Sequence, residues 1–82
     1  MVSAHRPLWK IAQEAERDWS QRGKGVSIHA RPYLSALKDL ESISDRYGAD
    51  DARTVVLYFL SNSAHWRGPV ARELKAELKA ML

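Results

Sequence analysis

The 82 residues include no cysteine, so the chain has neither disulfide staples nor thiolate metal ligands. Thiol and zinc-finger chemistry are thereby excluded, and stability must come from helix packing, assisted at most by a second subunit. Long apolar runs are also missing. The longest, residues 55–60, is far shorter than the roughly 20 residues that span a membrane, and residues 1–10 hold no apolar stretch that could serve as a signal peptide. The expectation is a soluble protein of the cytoplasm. With no internal repeat and no low-complexity tract, residues 1–82 read as one helical domain, which by surface scaling hides roughly 60–65% of its unfolded surface.

Three prolines and four glycines are few, and they fall where helices begin and end. Proline fits the first helical position, where its missing N–H would have no partner and its φ is already helical, so Pro7, Pro32 and Pro69 each mark a start. A fourth start lies at Asp50 or Asp51, carboxylates able to accept bonds from free first-turn amides just after Gly48. The expected fold is all-α: a compact bundle of four short helices over residues 7–22, 32–47, 51–64 and 69–81, with the third helix central.

Apolar periodicity agrees with these spans. Leu8, Ile11, Ala12, Ala15 and Trp19 fall on one side of the first helix; Tyr33, Ala36, Leu37, Leu40, Ile43 and Tyr47 do so on the second. Residues 55–60, VVLYFL, are apolar all the way round. Either the third helix is central, or Leu57 and Tyr58 meet a partner. In the fourth helix Val70, Leu74, Leu78 and Met81 form a stripe, with Arg72, Lys75 and Lys79 opposite. No opposite charges there stand three or four residues apart, so the basic ridge is open to an external counter-charge.

Charge is distributed in three blocks. Residues 1–31 carry +3, residues 32–51 carry −3 and residues 52–82 carry +3. An acidic middle between two basic arms can pair internally, with a second copy, or leave the arms free for phosphate.

The constellations that carry chemistry fail on spacing. Gly23, Lys24 and Gly25 lack the earlier glycine and the following hydroxyl of a phosphate loop, and read as a flexible turn. His5, His29 and His65 sit at three different junctions, none at the one-turn spacing that presents paired ligands to a metal. No nucleophile elbow or Ser-x-x-Lys pair occurs. The pairs Glu41 with Asp45 and Glu73 with Glu77 lie at outward or flanking positions, where burial does not raise a pKa. No catalytic residue, metal site or cofactor is expected.

Aromatics number only seven, and three of them are tryptophans. Trp19 lies on the core stripe. Trp9 stands about 100° from Leu8, either as boundary packing or as an exposed anchor. Trp66, before Arg67 in the last connection, either plugs the corner between the last two helices or forms an interface hot spot with Arg67.

From His29 onward the motifs HARPYL, DRYGADDARTVVLYFLSNSAHWRG and ARELKAEL resemble small proteins of unassigned function encoded by actinobacterial phages. The block covers about two-thirds of the chain, leaving out Trp9 and the loop at residues 22–31. The resemblance implies a setting, a phage product acting in the bacterial host cytoplasm on a host or phage macromolecule, and supplies no catalytic residue. Two binding functions follow. One is protein–protein binding, with a homodimer as one form, through Trp9, Leu57, Tyr58, Trp66 and Arg67. The alternative is nucleic-acid binding through Arg72, Lys75 and Lys79 with Arg67, and Lys24 and Arg31 from the loop. The lysines favour phosphate contact over base readout, and the long 61–68 connection departs from the short turn of a helix-turn-helix.

Overall fold

The computed structural model describes residues 6–82, and His5 lies outside them. The element order is α1 (Leu8–Ser20), α2 (Arg31–Leu37), β1 (Arg46–Tyr47), β2 (Asp50–Asp51), α3 (Ala52–Ser61) and α4 (Pro69–Ala80). Four helices are present as expected, but a two-stranded sheet accompanies them, so the fold is mostly helical rather than purely all-α.

Helix α1 packs against both α2 and α4, and α3 packs on α2. The helices run alternately up and down. At one end Leu8 N donates to Glu41 O, Ala52 N to Asp45 O, and an Arg53 guanidinium N–H to Leu82 O. At the other, Arg22 lies against Gly68, and His65 borders the Lys24–Gly25 turn.

The second helix departs most from the sequence reading, ending at Leu37 rather than 47. Two effects stop it. Ser42, Ser44 and Asp45 offer the backbone local side-chain bonds that compete with helix: Asp45 accepts from the N–H groups of Glu41 (2.9 Å) and Ser42 (3.0 Å). The carbonyls of Leu40 and Glu41 then accept from Trp9 N and Leu8 N, two first-turn donors of α1 that no helix can satisfy by itself. Ile43 still packs on the core from this turn, whereas Tyr47 is exposed in the hairpin. Gly48, expected to close a helix, opens a two-residue hairpin turn with φ of 61°. Asp51 caps α3 as expected, accepting from Thr54 N at 2.8 Å.

The third helix is not the central one. Ala52, Val55, Val56 and Phe59 are buried, but Leu57 and Tyr58 are 47% and 50% exposed. Its C-terminal carbonyls are closed by side chains, with Ser61 Oγ donating to Leu57 O and Asn62 Nδ2 to Tyr58 O. In α4 the buried stripe is Ala71, Leu74 and Leu78 followed by Met81, and Val70 faces outward.

The core is centred on three rings. Trp19 and Trp66 stack with centroids 5.4 Å apart and planes 9° from parallel, and Phe59 meets both edge-on at 6.1 and 6.3 Å. The Trp66 indole N–H donates to Asp18 Oδ2 at 2.9 Å, and the same oxygen receives Arg22 Nε. The Arg22 guanidinium, helped by the Trp66 N–H and opposed by partial desolvation, holds the Asp18 carboxyl below its ordinary range. Arg6 clamps α1 to α4 through Glu14 and both oxygens of Glu77.

Trp66→Ala should cost about 3–5 kcal/mol, a large share of what a domain of this size has. Denaturant unfolding followed by circular dichroism reads it directly. Because the folded-state pKa of Asp18 is lowered, its contribution is complete above the unfolded value of about 4 and is lost as pH falls below it. The unfolding midpoint should therefore hold steady from about pH 8 to 5 and drop below about pH 4. Asp18→Asn should flatten part of that drop, with Asp45 and Asp51, also held low by backbone N–H groups, supplying the rest.

Candidate functional site

The candidate face forms where α2 meets α3. Tyr33, held one residue past the N-terminal proline of α2, places its ring 5.4 Å from that of Tyr58. Tyr33 is half-buried and packs on the core, so it props the Tyr58 ring from beneath while Leu57 stands beside it on the same helix. The segment entering α2 runs close by: Ser27 and His29 border a depression of about 220 Å³ with Ser61 and Asn62. Ile28, between Ser27 and His29, is 71% exposed. Ile28, Tyr58 and Leu57 are thus more exposed than the other large hydrophobics at the surface, Tyr47, Val70 and Leu82, and Leu57 and Tyr58 stand side by side on α3.

The structure brings Leu57 and Tyr58 together and separates them from the other expected partner-binding residues. Trp66 is 1% exposed, which removes it as an interface hot spot; its ring plugs the corner before α4. Arg67 remains exposed, its Nε donating weakly to Ala64 O at 3.4 Å. Trp9 is half-buried, with its indole N–H on Glu41 Oε1 at 3.2 Å, so it packs on the 40–41 turn. Sequence reasoning missed Tyr33, assigned to the core stripe because a half-buried tyrosine keeps an apolar period. It also missed Ile28, whose signal was a lone large aliphatic in a polar loop.

The basic ridge of α4 is broken. Lys75 turns inward, its Nζ donating to the carbonyls of Ser63 and Trp66, each at 2.6 Å, and lying 5.7 Å from the Trp66 ring centroid. It satisfies the carbonyls of the 62–68 connection, and burial, with Lys79 and Arg67 nearby, lowers its pKa. Arg72 and Lys79 stay exposed on either side. Lys24 and Arg31 do come together, on opposite sides of a groove between α1 and α2.

His29 and His65 share the depression at the end of α3, yet no serine hydroxyl of the described residues is hydrogen-bonded to a histidine ring. Among the described residues no group of three or more carboxylates and histidines is placed to hold a metal, and no helix is long and apolar enough to cross a membrane. Comparison of the chain with protein-family models, with characterised proteins and with solved structures finds no match.

Lys75→Met should remove both carbonyl contacts while keeping the stem over Trp66. The expected loss is about 2–3 kcal/mol, since bonds from a charged donor are the stronger kind. Chemical denaturation measures it. A value under a few tenths would mean that water replaces the ammonium without cost.

Proposed function

We propose that this chain is a small, non-enzymatic phage accessory protein that acts by binding another protein through the face of Leu57 and Tyr58. The setting rests on the resemblance of residues 29–82 to actinobacterial phage proteins, and with it come the host cytoplasm and a partner of host or phage origin. The observation that supports the contact is the pair of half-exposed side chains on α3, propped by Tyr33. Leaving about half of each side chain in water forfeits about 1 kcal/mol apiece, and a rigid aromatic beside an aliphatic is the composition of an interface anchor. Few residues compose the face, fewer than the 20–30 per side of a standard interface, so they are its centre and the polar surroundings its rim. Pairing of two copies across the same face is the homodimeric form of this reading.

The nucleic-acid alternative loses its ridge on α4, because Lys75 is committed to Ser63 and Trp66.

Leu57→Asp leaves the buried face of α3 intact and should abolish partner capture, or dissociate a dimer in light scattering, with little change in unfolding midpoint. Lys10→Asp, a surface change on α1, should leave both untouched. A wild-type chain that stays monomeric at high concentration and captures the same proteins as Leu57→Asp would overturn the reading.

A further inference from the structure

Most cations of the described residues are already committed. Arg6, Arg22 and Lys38 are in ion pairs, and Arg46, Arg53, Arg67 and Lys75 donate to backbone carbonyls. Lys24 and Arg31 have no side-chain partner among the described residues, and they border the same groove, about 550 Å³ in volume. Lys10, Arg17, Arg72 and Lys79 are also unpaired, but none of these shares a depression with another unpaired cation.

The groove adds a third cation, Lys38, whose ammonium holds Glu16 at 2.8 Å. The one carboxylate on the wall is thereby compensated, and the groove carries a net positive charge. Leu34 and Val26 supply apolar walls, and the Ser35 hydroxyl is exposed. No aromatic ring lines it, so it offers no platform for stacking a base.

Beyond Lys24 and Gly25 the surface does not close. A second depression of about 400 Å³ shares both residues and continues past Arg22 to His65. Asp18, the carboxylate nearest this stretch, is taken by Arg22 and Trp66. The uncommitted positive charge is therefore Arg31 and Lys24, held apart along the groove instead of converging on a point. A point of convergence suits a single anion; a line of separated cations suits a chain of them.

We propose that these joined depressions are a track for the phosphodiester backbone of a nucleic-acid strand, contacted through Lys24 and Arg31 without reading its sequence. The track is separate from the α3 face and does not depend on it. Two phosphate contacts on a single strand give a slope of about −0.7 per contact against log salt, so affinity should fall about sevenfold between about 50 and 200 mM salt.

The test is fluorescence anisotropy of a labelled oligothymidine strand titrated with the full chain at both salt concentrations. Binding at low salt with that salt response, lost in Lys24→Glu with Arg31→Glu and kept within about threefold in the charge-matched Lys10→Glu with Lys79→Glu, supports the proposal. Circular dichroism checks that each variant folds, with Lys24→Ala and Arg31→Ala in reserve should the charge reversal unfold the loop. No binding at low salt overturns it. Equal loss in both double variants also overturns it, since net charge alone would then account for the binding. If millimolar inorganic phosphate displaces the strand completely, the groove is a site for a small phosphate compound and the strand assignment fails.

Discussion

Trp19 ends the buried stripe of α1, and Trp66 lies nearly fifty residues later in a connection with no regular structure of its own. Their stack joins the two, and three other features depend on it. Phe59 is held edge-on against both rings, which anchors the last turn of α3. The Trp66 indole N–H reaches Asp18, so the ring is fixed in rotation as well as depth. Lys75 then lies over the ring and gathers the carbonyls of Ser63 and Trp66. An irregular segment can be buried only if its backbone groups find partners. Here a lysine from the following helix supplies them, which is why a residue that looks like surface charge in the sequence is part of the corner.

The legible parts of the fold were those decided locally. Helices α1 and α4 announce themselves by a proline at the start and an apolar stripe at helical spacing, and the structure places both within two residues of the expected bounds. The Asp51 cap was legible for the same reason. Residues 38–47 were not, because their apolar period is genuine: Leu40 and Ile43 do pack on the core, but from a turn rather than a helix. What ends α2 is the need of α1 for two acceptors, a demand arising some thirty residues earlier in the chain. The expected central place of the third helix was wrong: residues 55–60 are apolar all round, but burial depends on which helices lie on either side, and Leu57 and Tyr58 face out.

Charge behaves similarly. The acidic middle looked able to neutralise the basic arms, yet its carboxylates make no ion pair among the described residues. Asp45 and Asp51 are turned to backbone N–H groups, and Glu41 receives the Trp9 indole. The arms pair within and between themselves instead, through Arg6 with Glu14 and Glu77 and Arg22 with Asp18, and the middle enters an ion pair by a cation, Lys38 with Glu16. With alternating helices, the acidic turn and hairpin gather at one end and the 22–31 loop with the corner before α4 at the other. The molecule is electrically lopsided along α1, which a net charge of +3 conceals.

The first turn of a helix ordinarily frays, since its leading amides have only water to bond. In this chain the amides of Leu8 and Trp9 are held by Glu41 and Leu40, so the beginning of α1 and the 38–45 turn open together or not at all. Exposing the front of the first helix therefore requires loosening a loop with no regular structure, and the exchange of those two amide protons with solvent reports on a part of the chain they do not belong to.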